Sequence, residues 1–283
     1  MATLTKKPKW LNKRINLSDC SNTKSLLRSL NLHTVCEEAA CPNISECFHK
    51  GTATFMILGS NCTRSCKFCN IKNGQPSLVD KDEPVHIADA VKKLGLKHVV
   101  ITSVTRDDLE DGGAEQFART ISNIRSRVES IAIEVLIPDF KGNREAIKKI
   151  AEQGPDIINH NLETVPRLYP AIRPEADYKR SLEVLKTAKE SAGPKAYTKS
   201  GIMLGFGETE KEILQVFADL RGIGCDFLSI GQYLAPSREH YPVKEYITPN
   251  KFQYYKREAE EMGFKFVASA PYVRSSYLAE EYI

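Results

Sequence analysis

Nowhere does the chain hold an apolar run approaching the roughly 18 residues that mark a membrane-crossing helix, so no transmembrane segment is expected. The start is basic, with Pro8 and the single tryptophan, Trp10, but has no apolar core and no small-residue cleavage site. Residues 1–10 also lack the Arg- and Ser-rich composition of a transit peptide, and the expectation is a soluble, cytoplasmic protein without a membrane role. Lys and Arg total 40 against 36 Asp and Glu, a net charge of +4, and they form no block long enough to serve as a nucleic-acid arm. A weakly basic surface can still steer an acidic protein partner. Internal repeats and low-complexity stretches are missing too, which argues against a solenoid.

What the chain does have is clustered cysteine. Six of its eight cysteines lie between Cys36 and Cys69. A disulfide knot suits small secreted chains, and 283 residues with no secretory signal fit metal or redox chemistry better. Cys20 and Cys225 have no motif partner and read as free thiols, Cys225 at a buried strand start.

From residue 54 onward, short β-branched runs alternate with amphipathic stretches, the pattern of repeated βα units on a parallel sheet. Strands are expected at 54–58, 98–102, 131–137, 156–159, 197–204 and 227–231, and helices at 86–94, 115–128, 144–152, 178–190 and 210–222. Six such strands are too few for an eight-stranded barrel, and no G-x-G-x-x-G turn follows the first one. The expected fold is therefore α/β, a partial (β/α)6 TIM-like barrel over 54–263. It would carry an N-terminal extension, 1–53, and a C-terminal extension, 264–283, which holds one short apolar run at 264–268. In such a fold, function gathers in loops at the C-terminal strand ends, and Cys62 to Cys69 directly follow the first strand.

Cys62, Cys66 and Cys69 stand at C-x3-C-x2-C spacing in one short loop. Thiolates suit iron-sulfur clusters and zinc. A cubane normally takes four cysteines, so three leave one iron open to chelate a small molecule; a structural zinc site is the competing reading and also needs a fourth ligand. Upstream, Cys36, Cys41 and Cys47 form a second triad at C-x4-C-x5-C spacing, more than one cluster can use. Near the other end lies Arg274-Ser275-Ser276-Tyr277, which by composition alone is a polar tail.

The first triad, with Phe68 before its last cysteine, resembles the signature of the radical S-adenosylmethionine superfamily, and the two triads with the Arg-Ser-Ser-Tyr tail resemble the lipoyl synthase family. That resemblance covers nearly the whole chain, from Cys36 to Tyr277. It implies two 4Fe-4S clusters and S-adenosylmethionine as cofactors. The cluster on Cys62, Cys66 and Cys69 would generate a 5'-deoxyadenosyl radical. The auxiliary cluster on Cys36, Cys41, Cys47 and Ser276 would be the sacrificial sulfur donor, its oxygen ligand detaching more readily than a thiolate. The implied reaction is sulfur insertion at C6 and C8 of a protein-bound octanoyl-lysine, a sulfurtransferase step of protein lipoylation. The implied partners are an octanoylated lipoyl carrier domain or glycine-cleavage H protein, an electron donor such as ferredoxin or flavodoxin, and iron-sulfur carrier proteins for cluster repair.

Within the same resemblance, Asp111-Gly112-Gly113 is similar to the glycine turn that meets the methionyl amine, although D-G-G is also an ordinary turn. Asn161 and Glu163, after the fourth strand, are candidates for nucleotide or methionyl contacts. Arg173 and Lys199 are candidates for the S-adenosylmethionine carboxylate, or else ordinary surface charges. His160 reads as a structural histidine. Two rival readings stay open at this stage: another radical sulfur inserter, biotin-synthase-like or a methylthiotransferase, and a structural metal-binding module.

Overall fold

The computed structural model describes residues 7–13, 21–30, 32–38, 41–49, 54–277, 279 and 282. Cys20 lies outside them. Seven parallel strands form the sheet: β1 Thr54–Ile57, β2 His98–Ser103, β3 Ala132–Leu136, β4 Ile157–Asn159, β5 Tyr197–Leu204, β6 Phe227–Gln232 and β7 Phe266–Ser269. Their spatial order is their chain order, every neighbour pair is parallel, and Thr54 faces Val100 while Ser269 faces Ile230. Except for β7, whose burial alternates, the strands are buried on both faces, which is why β2 reads His-Val-Val-Ile-Thr-Ser with a continuous apolar run.

Helices follow the first six strands: α1 Glu83–Leu94, α2 Ala114–Arg127, α3 Arg144–Ala151, α4 Tyr178–Ser191, α5 Glu210–Gly222 and α6 Pro249–Glu261. Their starts are written in the sequence. Asn143 accepts from the amides of Glu145 and Ala146, Asp177 from Arg180, and Thr248 from Lys251, and Thr209 and Glu212 close a capping box. Helix α6 was not expected, because only Phe252, Tyr255 and Ala259 are buried on a strongly charged helix; Thr248-Pro249 is the cap signal that marks its start.

The six expected βα strands are present, and among the described residues the two edge strands of the sheet do not pair, in keeping with a partial barrel. Its apolar tail run, expected in the C-terminal extension, instead joins the sheet as a seventh parallel strand, β7. The opposite edge is extended by His33–Thr34, antiparallel to β1. Between the two edges runs the segment carrying the second cysteine triad. Asn43 donates to the Tyr272 carbonyl at 2.8 Å, Tyr277 donates to Glu46 at 3.0 Å, and Lys13 bonds Asn43 and Glu46 at 2.5 and 3.0 Å. This segment thereby ties the β1 edge to the chain that follows β7. Among the described residues, no helix is long and apolar enough to cross a membrane.

One charged layer lies inside the barrel. Glu134 on β3 is fully buried and accepts from Asn159 at 2.9 Å and from Lys199 at 3.1 Å, and the Lys199 ammonium sits 3.5 Å from the Tyr282 ring centre. Burial alone would raise the Glu134 carboxyl, but Lys199 and His98 hold it below the usual carboxylate range. Removing either partner would strand a buried charge at a cost of about 3–5 kcal/mol.

The tail reaches the sheet at Gly231, where a Cβ would stand 2.1 Å from the Val273 carbonyl oxygen. Gln232 also donates its amide to Pro271 and Ala270 to Ile230, so the backbone there has no room to give. Gly231→Ala should therefore destabilise the fold by about 2–3 kcal/mol, an overpacking cost, and expose residues 270–277 to protease. Equilibrium denaturation with limited proteolysis checks this; parental stability with an intact tail would show that the close approach is not needed.

Candidate metal centre

The first triad leaves β1 through a short strand, Asn61–Cys62, paired with Lys72–Asn73, and turns back through Cys66 and Cys69. A loop this irregular has few hydrogen bonds of its own, so neighbouring strand ends hold it. Thr63 donates its amide and hydroxyl to the Thr105 carbonyl after β2, Lys67 donates to Ile172, and Tyr241 donates to Lys67. Ser65 donates to Glu175 through both amide and hydroxyl, and the His240 ring meets the Cys69 carbonyl at 3.1 Å.

The strongest clamp is Arg64, between the first two cysteines. Its guanidinium is bidentate to Asp107 at 2.7 and 2.9 Å and also reaches Asp139 at 2.7 Å, and Asp139 takes a further bond from Arg180 at 2.8 Å. Burial would raise Asp139, but the Arg64 hydrogen bond and charge outweigh it and hold this carboxyl well below its usual range. Sequence reasoning passed over Arg64, Asp139 and Glu175. The available signal was acidic residues placed just after β2 and β3, facing an arginine inside the cysteine loop.

The thiols of each triad are neighbours. Cys36, Cys41 and Cys47 repel one another as thiolates, as do Cys62, Cys66 and Cys69. Burial pushes Cys36, Cys47 and Cys69 up to about 12 and raises Cys66, which the Arg173 cation opposes. Such thiols need a bound cation before they serve as thiolate ligands. Among the described residues, no three Cys, His, Asp or Glu side chains close on a single-ion site; a multi-iron cluster spreads its ligands over separate corners. Described cysteines form no disulfide, and Cys225 stays buried apart from both triads with its thiol near the Thr198 and Phe227 carbonyls.

Between the triads, after β4, lie Asn161 and Glu163. Asn161 donates to Glu163 at 3.1 Å and to the Ser275 hydroxyl at 2.5 Å, while its Oδ1 is buried without a partner. Glu163 has φ 66°, a left-handed backbone seldom taken by a non-glycine residue, held by bonds to Gly201 and Met203. Burial raises its carboxyl against the pull of Arg173, Asn161 and Arg274. Arg173 is buried, donates to the carbonyls of Asn161 and Leu162 and to the Tyr169 hydroxyl, and keeps an unpartnered Nε. Arg274 donates, among the described residues, only to the Pro271 and Val273 carbonyls, and its charge interacts with Cys41 and Glu163. Each triad thus has an arginine beside it with no carboxylate bond among the described residues, and Glu163 lies within electrostatic reach of both.

Unpartnered buried atoms at Asn161 and Arg173, beside raised thiols, suit an anionic, hydrogen-bonding ligand and iron-sulfur clusters. One candidate from the sequence, Lys199, is placed differently. Lys199 is engaged by Glu134 within the barrel and offers no free charge. Gly112 and Gly113, with φ of 62° and 92°, turn the chain into α2, where a Cβ would strike Phe140 at 2.7 Å and Leu58 at 2.2 Å. His160 is buried: its Nδ1 meets the Ile137 carbonyl at 2.8 Å, its Nε2 has no partner among the described residues, and burial, then Arg173, pushes it down to about 4, leaving it neutral.

A parallel open barrel with its cysteine loop at the first strand end defines the class, and the family model described as the radical SAM superfamily matches residues 56–220, more than half of the chain. Solved structures share the fold at low identity. SuiB from Streptococcus suis bound to S-adenosylmethionine has a TM-score of 0.59 at 11% identity, over 89% of this chain and 60% of that one. For methylornithine synthase the TM-score is 0.55 at 12% identity, over 94% and 79%. Curated relatives are nearer. The lipoyl synthase of Alkaliphilus metalliredigens is 59% identical over 98% of this chain and 96% of its own length, and that of Geobacter metallireducens is 55% identical over 99% and 98%. The chain belongs to the lipoyl synthase family.

The Arg64 clamp makes an acid-sensitivity prediction. Asp139 has a depressed folded-state value, so its stabilisation is complete above the unfolded pKa of about 3.9 and is lost as pH falls toward the folded value. Asp139→Asn should lower stability by about 3–5 kcal/mol at pH 7 and flatten the acid limb of the stability curve below about pH 4. Denaturation midpoints between pH 7 and pH 2 measure it, and an unchanged acid limb would remove Asp139 from the account.

Proposed function

We propose that the chain inserts two sulfur atoms, at C6 and C8, into an octanoyl group amide-linked to a lysine of a lipoyl carrier protein. The observation that carries this reading is the union of three separate segments in one place: the Cys62–Cys69 loop at the strand ends, the Cys36–Cys47 segment across the barrel opening, and the Arg-Ser-Ser-Tyr tail bonded to Asn161. In this reading Cys62, Cys66 and Cys69 hold the radical-generating 4Fe-4S cluster, and Cys36, Cys41, Cys47 and Ser276 hold the auxiliary one. When bound, the first cluster and S-adenosylmethionine supply a hydrogen-abstracting radical, and the auxiliary cluster supplies sulfur.

The chain's own residues position and shield. Arg173 offers a buried guanidinium to a carboxylate, and the Asn161 Oδ1 accepts from an amine or hydroxyl. Ser276 is the tail hydroxyl available to a metal: Ser275 is already bonded to Asn161, whereas the Ser276 side chain makes no hydrogen bond to another described residue. Arg64, Glu175 and His240 keep the first loop in place while the second exchanges its contents. Partners in this reading are a lipoyl domain or glycine-cleavage H protein as carrier, a ferredoxin- or flavodoxin-type reductant, and iron-sulfur carrier proteins that rebuild the auxiliary cluster.

The test is an anaerobic reaction of the reconstituted protein with S-adenosylmethionine, reductant and an octanoyl-lysyl peptide, read by mass spectrometry. Expected products are 5'-deoxyadenosine and a peptide carrying two added sulfurs. Cys41→Ala should still cleave S-adenosylmethionine yet form no lipoyl group, and Cys66→Ala should do neither. Equal loss of cleavage in both variants would overturn the division of labour between the triads.

A further inference from the structure

We infer that Ser275 is a positioning residue, a latch that fastens the C-terminal tail to the end of β4 so that the neighbouring Ser276 hydroxyl stays within reach of the auxiliary triad. This rests on the reading of Ser276 as a ligand and adds a function for the adjacent serine.

The Asn161 amide donates to Ser275 at 2.5 Å and to Glu163 at 3.1 Å, so one side chain joins the tail to the residues between the triads. Asn161 has its place because Gly201 carries no side chain: a Cβ there would stand 2.8 Å from the Asn161 Oδ1 and 2.6 Å from the Ser229 hydroxyl. Upstream, the tail is held by Gly231 and the Gln232-to-Pro271 bond. Downstream, the Tyr277 amide closes a turn on the Arg274 carbonyl, and the Tyr277 hydroxyl bonds Glu46. Ser275 and Ser276 are consecutive within that turn, so fixing one hydroxyl limits how far the other can travel. A labile oxygen ligand that detaches must return, and a tail latched at Ser275 remains in place when the Ser276 bond opens.

The experiment follows iron release to a chelator from the reconstituted full-length protein, under anaerobic conditions and without turnover. Loss of one phase in Cys41→Ala identifies the auxiliary cluster. Ser275→Ala should accelerate that phase about five- to tenfold, the scale of one buried hydrogen bond, and leave the other phase unchanged. Ser275→Thr, which keeps the hydroxyl, should return to within about twofold of the parent. Asn161→Ala, which also loses the Glu163 bond, should accelerate that phase at least as much as Ser275→Ala, and the double variant should be no faster than Asn161→Ala alone, as expected when both include the loss of one interaction. Equal acceleration of both phases, or none with Ser275→Ala, would overturn the latch while leaving two clusters in place. If Cys41→Ala removes no iron, the two-cluster reading falls and the latch with it.

Discussion

A loop that gathers three thiols cannot also be a regular helix or strand, so its backbone must be held from outside, and the Arg64 fork is the chief means. One guanidinium joins the loop to residues after β2 and after β3, and Asp139 passes the connection on to Arg180 at the start of α4. The planar, permanently charged fork suits this better than a lysine would, because two carboxylates must be met at fixed angles. The thiols then project from a rigid frame. Glu175, Ile172 and His240 complete the frame from loops after β4 and β6.

The second triad depends on a different constraint, the open side of the barrel. Seven parallel strands leave two edges, and exposed edges invite unwanted pairing. Here His33–Thr34 covers the β1 edge, and the following cysteine segment reaches across to Tyr272 and Tyr277. The ammonium of Lys13 lies over both tyrosine rings, 5.3 and 5.6 Å from their centres, while bonding Asn43 and Glu46. Covering the opening and carrying the second cysteine triad are thus tasks of one segment. The segment is also seated on the apolar core, since Leu32, Cys36 and Ile44 pack in the same buried cluster as Phe55 and Ile57 of β1.

Much of the fold was legible because parallel βα units write themselves in composition. The run Val99 to Thr102 in β2 is uninterrupted and β-branched, and Asn143, Asp177 and Thr209 announce the helices that follow them. Helix α6 and strand β7 were harder to read. The helix buries only three side chains, and the strand, four residues long, is recognisable only from its partner β6. Lys199 misled for a related reason: a lone lysine on a strand gives no sign that Glu134, 65 residues away, will neutralise it inside the barrel.

The sequence by itself determined the ligand chemistry, since two cysteine triads at short, fixed spacings restrict what can bind wherever the chain folds. It also determined the class of fold, because hydrophobic period and helix caps are local properties. Only the tertiary structure decided which charges remain available. Arg173 and Arg274 lie beside thiols with no carboxylate bond among the described residues, whereas Arg64 and Lys199 are fully engaged. It decided, too, that among the described residues the Ser275 hydroxyl is bonded and the Ser276 side chain is not, a difference between adjacent identical residues that arises from Asn161, more than a hundred positions earlier in the chain. Such pairings depend on which strand ends meet, and that is set by packing of the whole sheet rather than by any local run of residues.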